Sequence, residues 1–383
     1  MDKKKPLLVD LFCGCGGFGL GGELAGFHSE IAIDIDDKLR SAYELNFPKT
    51  RALQGDLSKM DKESWKLLLK DKVIDGVIGG PPCQGYSRQG HNDPKDERRT
   101  LLHHFFRTVN IISPKFFIME NVEGLMDDKN RYELENALKI VDKRYKVLDP
   151  FIVDASEFGA PTRRRRVIVI GYDADTMSDM TVDDFSPPNV SVTVKDAISD
   201  LPKPISQTRD NADFGWSKYN RKRKISDYAI RMRSSPPTHI GSKEAKKRHK
   251  EKMSSGHFDT VHTDKVAKRY AEVPQGKIDK PSKSKKLSWT GVSTTLRAGT
   301  GSDKGSFQAV RPLHPDEGRV ITVREAARLQ GFPDWFMFHP TKWHSFRMIG
   351  NSVSPVVSKA VLEIVKYHML SISTNYQDTK SMN

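Results

Sequence analysis

The first 171 residues alternate short apolar runs with helical segments, and this alternation constrains the fold more than any other feature of the sequence. Amphipathic helices are predicted at 38–47 and 99–112. Strands are predicted at the apolar runs 6–12, 29–33, 73–78, 115–119, 147–153 and 166–171. Strands that alternate with helices form a parallel sheet with helices on both faces. The sequence therefore predicts an α/β fold with a doubly wound, mostly parallel sheet.

The composition changes after about residue 172. Between Ser217 and Met253 there are thirteen Lys or Arg and three Asp or Glu, with aromatic residues interleaved and few periodic apolar segments. This composition predicts a second, smaller and irregular basic domain at 173–318. Beyond it, 323–332 is predicted as a helix and 350–370 as a loop followed by a long helix.

The overall charge favours an anionic partner. The chain has 383 residues, a net charge of +14 and 37% hydrophobic residues, and nucleic acid is the usual partner of so basic a protein. There is no run of about 18 apolar residues, so we expect no membrane span. The three cysteines are too few for a disulfide framework, and they supply too few ligands for a structural zinc site. We therefore expect an intracellular, reduced protein without a metal.

A glycine-rich segment follows the first predicted strand. Residues 10–27 contain the pattern Gly14-x-Gly16-x-x-Gly19, and Asp34 follows at the end of the second strand. Such glycines let the main chain approach a ligand, and the acid can bind ribose hydroxyls. The pattern predicts a cofactor that contains adenosine. The hypothesis of an NAD-dependent oxidoreductase rests on this pattern alone. Hydride transfer gives no role to the cysteine that follows a later strand.

That cysteine is Cys83, within the stretch GGPPCQGYS at 79–87. This stretch resembles the nucleophile motif of the cytosine-5 DNA methyltransferases. Five further motifs resemble those of the same family in the same order, at 10–21, 117–125, 158–171, 324–333 and 349–355. The resemblance covers about 1–172 and 310–370. It implies the adenosylmethionine-dependent methyltransferase fold, with a catalytic domain built from 1–172 and 319–383 and a target-recognition domain at 173–318.

The side chains of these motifs suit methylation of cytosine. A thiolate at Cys83 can add to carbon 6 of the base, which makes carbon 5 nucleophilic enough to attack a methyl group. Glu120 can protonate or hydrogen-bond N3 and so lower the barrier to this addition. Arg164 and Arg166 alternate along a predicted strand and share a face, where they could hold the base O2 and a phosphate.

The resemblance also implies binding residues. S-adenosyl-L-methionine, which leaves as S-adenosyl-L-homocysteine, is expected to contact Phe12, Gly14, Gly16, Gly17, Phe18, Asp34, Ile35, Asp56, Leu57, Pro82, Leu101, Asn351 and Ser352. Double-stranded DNA is expected to contact Gln84, Ser87, Arg163 and Arg297, with the target cytosine flipped out of the helix. Residues 294–302 are the favoured groove-facing loop. Cys13 and Cys15 are expected to fill the glycine loop without chemistry of their own.

The family resemblance leaves two alternatives open. A tRNA-directed branch shares the catalytic motifs but usually carries a Cys-Phe-Thr tripeptide, whereas this chain has no cysteine after Cys83. A non-catalytic DNA-binding module would not need Cys83, Glu120, Arg164 and Arg166. The preferred hypothesis is a monomeric, cytoplasmic bacterial enzyme of a restriction-modification system, which a cognate restriction endonuclease could accompany.

Overall fold

The computed structural model describes residues 5–82, 100–208, 213–219, 225–298 and 311–380, with side chains as far as residue 371. The strands in these ranges are β1 (Leu7–Leu11), β2 (His28–Asp34), β3 (Arg51–Gln54), β4 (Gly76–Gly79), β5 (Phe116–Val122), β6 (Tyr145–Val147), β7 (Phe151–Asp154), β8 (Arg165–Asp173), β9 (Ser217–Lys218) and β10 (Met253–Ser254).

The helices occupy both chain ends and the middle. They are α1 (Gly17–Leu24), α2 (Asp37–Asn46), α3 (Lys62–Leu69), α4 (Leu101–Ile112), α5 (Asp128–Leu138), α6 (Val194–Ile198), α7 (Asp227–Met232), α8 (Lys243–Lys250), α9 (Asp264–Glu272), α10 (Val323–Gln330), α11 (Lys342–Asn351) and α12 (Pro355–Lys380).

One large sheet carries the fold. Its strand order is β3-β2-β1-β4-β5-β8-β6, with β7 also paired to β8. The five strands from β3 to β5 are parallel, whereas β8 runs antiparallel to β5, β6 and β7. The doubly wound, mostly parallel sheet predicted from the sequence is confirmed.

Consecutive strand residues face opposite sides of this sheet, and each side has its own apolar core. Leu8 packs in a cluster with Val361 of α12, while its neighbour Val9 packs in another cluster with Trp65 of α3 and Phe105 of α4. Because side chains alternate along a strand, a strand covered by helices on both faces is apolar at most positions. This explains the continuous apolar runs of the sequence.

The predicted strand at 147–153 is wrong in extent. It is divided between β6 and β7, which pair with different parts of β8. Pro150 lies between them and has no N–H to donate to a ladder. The prediction also passed over β3, α3 and α5, whose sequences are too polar or too short for a clear periodic signal.

Helices α1 and α12 bring the two ends of the chain together. A Cβ atom on Gly21 of α1 would lie 1.9 Å from Oγ of Ser358, and one on Gly17 would lie 2.3 Å from the Val353 carbonyl oxygen. The glycine-rich segment therefore serves this close helix contact as well as the loop before α1.

The middle of the chain forms short helices and the two-stranded sheet β9–β10. Its apolar residues share a core with helices that cover the large sheet. Tyr228, for example, packs in one cluster with Tyr43 of α2 and with Trp335. Arg328 of α10 is fully buried here and pairs with Asp334 at 2.5 Å and Asp200 at 3.1 Å. The domain boundaries at 172 and 319 stay a prediction.

One helical stretch within the described ranges, Lys342–Ser371, is long and apolar enough to cross a membrane by length and composition alone. It consists of α11 and most of α12, and 67% of its most apolar window is buried inside the protein.

Candidate functional site

A cavity of about 360 Å³ lies at the carboxyl ends of β1, β2, β4 and β5. The sheet order reverses between β1 and β4, and such a switch point is where ligands bind in open α/β sheets. The predicted residues that line the cavity are Phe12, Gly14, Gly17, Phe18, Asp34, Ile35, Asp56, Leu57, Pro82, Leu101, Glu120, Arg164, Arg166, Asn351 and Ser352.

Asp34 fixes the glycine loop. Its Oδ2 accepts a hydrogen bond from the Gly14 N–H at 2.8 Å, and its Oδ1 accepts one from the Asp36 N–H at 2.9 Å. Burial raises the pKa of Asp34. Gly16 does not line the cavity, but caps α1 with a φ of 94°. One carboxylate therefore connects the loop before α1 to the turn before α2 and leaves each oxygen a second lone pair.

Asp10 is an acid that the sequence analysis missed. It lines the cavity from β1, is 1% exposed, and neither carboxylate oxygen has a hydrogen-bond partner within the described residues. Burial raises its pKa to about 8, and the charge of nearby Asp34 adds to this effect. A buried acid without a partner is costly unless a ligand or water satisfies it. Its signal in the sequence was an acid inside an apolar strand.

The other end of the cavity is more open. Ile35, one of the predicted cofactor contacts, is 65% exposed. Asp56 accepts hydrogen bonds from the hydroxyl and N–H of Ser58, which lower its pKa. Asp36 forms an ion pair with Arg347 of α11 at 2.6 Å, and both residues line the cavity. Nothing in the local sequence connects these two residues, so only the fold could reveal this pair.

Glu120 lies at the carboxyl end of β5 and pairs with Arg166 of β8. The distance between its Oε1 and Nε of Arg166 is 3.0 Å, and the side chains are 10% and 17% exposed. The next residue, Asn121, donates from Nδ2 to the Pro81 carbonyl at 3.3 Å. Asn121, also missed by the sequence analysis, thus ties β5 to the segment that leads into Cys83.

The four consecutive arginines alternate in direction. Arg163 and Arg165 are exposed, whereas Arg164 is 3% exposed and Arg166 is partly buried. Arg164 donates from Nη1 to the Gly350 carbonyl at 3.0 Å. The expectation that Arg164 and Arg166 share a face agrees with their common position in the cavity wall. Arg164 also links this wall to the segment of Asn351 and Ser352.

Arg163 and Arg297, two of the residues predicted to contact DNA, are not among the residues that line the cavity. The Arg163 N–H donates to the Ser293 carbonyl at 2.8 Å, and the Thr295 hydroxyl donates to the Arg163 carbonyl at 2.7 Å. A Cβ atom on Gly350 would lie 2.4 Å from the carbonyl carbon of Arg297. The start of the predicted groove-facing loop therefore packs beside the Arg164–Gly350 contact, and its residues 299–302 lie outside the described ranges.

Cys83, Gln84 and Ser87 also lie outside the described residues. The other two cysteines are buried in the glycine loop, and burial raises the pKa of Cys15 to about 12 and that of Cys13 well above its usual range. Both are therefore thiols at neutral pH and poor nucleophiles. In the part of the chain that the structure describes, no group of three His, Cys, Asp or Glu could hold a metal ion.

This chain is similar to known methyltransferases. A family model described as C-5 cytosine-specific DNA methylase matches residues 7–366. The type II methyltransferase M.XorII of Xanthomonas oryzae pv. oryzae is 37% identical, over 93% of this chain and 84% of that protein. The type II methyltransferase M.DdeI of Desulfomicrobium norvegicum is 29% identical, over 96% of this chain and 90% of that protein.

Solved structures give the same result. A putative DNA modification methyltransferase encoded within an Escherichia coli prophage superposes with a TM-score of 0.84 at 39% identity, over 95% of this chain and 99% of that one. The Dnmt2 methyltransferase of S. pombe superposes with a TM-score of 0.61 at 17% identity, over 95% of this chain and 99% of that one. The second likeness concerns the fold alone. The predicted methyltransferase fold is confirmed.

Proposed function

Because this chain belongs to the C-5 cytosine-specific DNA methylase family, we propose that it converts cytosine to 5-methylcytosine at a defined sequence in double-stranded DNA. The observation that supports this most is the position of Glu120, Arg164 and Arg166 in one cavity wall. The main chain of Pro81, two residues before Cys83, is held to the same wall by Asn121.

The residues of the cavity suit S-adenosyl-L-methionine, which would supply the methyl group. Asp34 has lone pairs left for ribose hydroxyls, and Asp56 can accept a hydrogen bond from the adenine amino group. The Asp34 carboxylate lies at the glycine-loop end of the cavity, beside the buried Asp10, and a negative charge there would suit a sulfonium cation. Ile35, Leu57 and the ring of Phe12 offer apolar contacts.

In the proposed reaction, the Cys83 thiolate forms a bond to carbon 6 of a flipped cytosine. Glu120 donates a proton or hydrogen bond to N3, so that electrons displaced by the addition are stabilised. Carbon 5 then takes the methyl group, loses its proton to a base, and the Cys83 thiolate leaves from carbon 6. Arg166 orients Glu120 and, with Arg164, completes the wall that faces the base.

We also propose that residues 173–318 recognise the target sequence. Arg163, Arg297, Gln84 and Ser87 would contact DNA near the flipped base. Exchange of residues 185–290 for the corresponding segment of a relative with another specificity should change the methylated sequence. If the hybrid kept its original target, the recognition residues would lie elsewhere.

The names of the relatives suggest a biological setting. M.XorII and M.DdeI are type II methyltransferases, so we propose that this enzyme belongs to a restriction-modification system, with a cognate endonuclease acting on the same site. Its substrate would be chromosomal or phage DNA in the bacterial cytoplasm, and we propose that it acts as a monomer.

The proposed function can be tested with tritiated adenosylmethionine, genomic DNA and bulk tRNA, followed by nucleoside analysis. We expect label in 5-methylcytosine from DNA, and none with Cys83→Ala, which should still bind adenosylmethionine within a few-fold. Label in tRNA alone would contradict the DNA substrate, and label with Cys83→Ala would contradict the mechanism.

A further inference from the structure

Helix α8 presents a row of lysines to solvent. Residues 243–252 contain six Lys or Arg and two Glu. Lys243, Lys247 and Lys250 are spaced i, i+4 and i+7, so their side chains lie along one side of the helix, and all three are exposed. We refer to these three residues as the lysine face.

The nearby acids do not neutralise this face. Arg248 pairs with Glu244 at 2.6 Å and with Glu251 at 3.3 Å, so one guanidinium engages both carboxylates. Within the described residues, the side chains of Lys243, Lys247 and Lys250 have no hydrogen bond or ion pair. Three like charges therefore stand close together without a partner from the chain itself.

The helix dipole does not explain the whole row. Cations near a helix C-terminus are favourable, which accounts for Lys247 and Lys250 in the last turns of α8. Lys243, however, is the first helical residue after the N-cap Ser242, where a positive charge is unfavourable. The helix dipole therefore accounts for two of the three lysines and not for Lys243.

The lysine face lies away from the cavity. The Gly241 N–H donates to the carbonyl of Asn46 at 2.6 Å, and Asn46 ends α2, whose N-cap residue Asp36 lines the cavity. Ten residues of helix span about 15 Å. His239 contacts Glu23 near the end of α1 at 2.8 Å. Helix α8 thus begins near the amino ends of the sheet strands, whereas the cavity lies at their carboxyl ends.

We propose that the lysine face binds the phosphates of a second DNA duplex segment while the target segment occupies the catalytic site. This rests on the proposed function for the identity of the polyanion. A duplex has a persistence length of about 150 base pairs, so a short segment bound at the cavity cannot bend round to α8. Distant segments of a long molecule can reach both surfaces, which would keep the enzyme on DNA between targets.

The test compares Lys243→Gln/Lys247→Gln/Lys250→Gln with the wild type on a supercoiled plasmid of several kilobases. Loss of three phosphate contacts should make the plot of log affinity against log salt concentration shallower by about 2 to 3. The control is Lys62→Gln/Lys66→Gln/Lys70→Gln, which removes the same charge from exposed positions in α3 and at its C-cap and should change the slope by less than about 1. Both variants should melt near the wild-type temperature.

A second readout asks whether the bound segment is separate. The wild type should retain a labelled linear duplex on beads that carry another duplex, and the lysine-face variant should not. Although α8 lies within the proposed recognition range 173–318, its lysine face lies away from the cavity, so methyl transfer at saturating plasmid should be unchanged in this variant. A wild-type salt slope, or equal bridging, would overturn the inference, as would a lower rate of methyl transfer at saturation, which would assign the lysines to the catalytic cleft.

These outcomes separate the inference from the function on which it rests. A wild type that forms 5-methylcytosine while the two Gln variants bind plasmid alike refutes the lysine face only. A slope that depends on the lysine face in a protein that methylates no DNA refutes the proposed function and leaves the surface in place.

Discussion

Glu120 and Arg166 form an ion pair between neighbouring antiparallel strands, with 3.0 Å between Oε1 and Nε. A second pair, Glu123 with Arg165, joins the same part of the sheet at the same distance but is 31% and 52% exposed. The two pairs differ in direction, since the first lines the cavity and the second faces solvent. This contrast provides a matched test of the proposed proton donor.

Glu120→Gln should lower the rate of methyl transfer at saturating substrates by at least about 100-fold, because an amide cannot supply a proton to N3. Single-turnover transfer from tritiated adenosylmethionine measures this rate. Glu123→Gln removes the same charge from the solvent-facing pair and should stay within about threefold of the wild type. Equal rates for the two variants would exclude Glu120 as the proton donor.

Asn121→Ala should slow methyl transfer by about 10- to 100-fold, because the Pro81 main chain would lose the hydrogen bond that positions the segment before Cys83. The dissociation constant for adenosylmethionine, measured by calorimetry, should change little. Asn110→Ala is the control, since Nδ2 of Asn110 likewise donates to a main-chain carbonyl, that of Ile140. A loss of cofactor affinity equal to the loss of rate would argue against the positioning role.

Gly21→Ala should destabilise the protein by about 1–2 kcal/mol, since overpacking against α12 exceeds the gain in helix propensity. The added Cβ would meet Oγ of Ser358 at 1.9 Å. Urea unfolding of Gly21→Ala, Ser358→Gly and the double variant measures the coupling. We expect the double variant to be more stable than the sum of the single effects predicts, and simple additivity would place the strain elsewhere.

The pH dependence of stability should report on Glu325. Burial disfavours its ionised form, but hydrogen bonds and charge from Arg319 outweigh this and lower its pKa to about 2 from 4.5. A depressed carboxyl pKa stabilises the fold above the unfolded-state value and loses this effect as the pH falls through the folded-state value. Glu325→Gln should thus cost about 3 kcal/mol at pH 7.

Urea unfolding from pH 7 down to the lowest pH at which the native fold persists should show this difference shrinking below about pH 4.5. The exposed Glu363, which pairs with Lys359 at 2.6 Å, provides the control, because Glu363→Gln should cost less than about 1 kcal/mol at every pH. A Glu325→Gln effect that is independent of pH would assign the loss to packing.

Much of the fold could be predicted because the buried strands are apolar on both faces, as at Leu8 and Val9. The cavity residues were predictable because Phe12, Asp34 and Glu120 lie at or near the carboxyl ends of such strands. Arg347 could not be predicted, because its partner Asp36 is distant in the chain. Asn121 was overlooked for another reason, since its contact with Pro81 depends on the sheet register rather than on a motif's chemistry.

The central claim is that Cys83 is the nucleophile, and a trapped covalent adduct tests this claim most directly. In DNA whose cytosines are replaced by 5-fluorocytosine, carbon 5 has no proton to lose after methyl transfer, so the bond to the thiolate should persist. We expect wild-type protein with adenosylmethionine to form a covalent complex, seen by intact mass and mapped by peptide sequencing to Cys83, and Cys83→Ala to form none. An adduct at Cys13 or Cys15, or no adduct from an enzyme that methylates ordinary DNA, would contradict the mechanism.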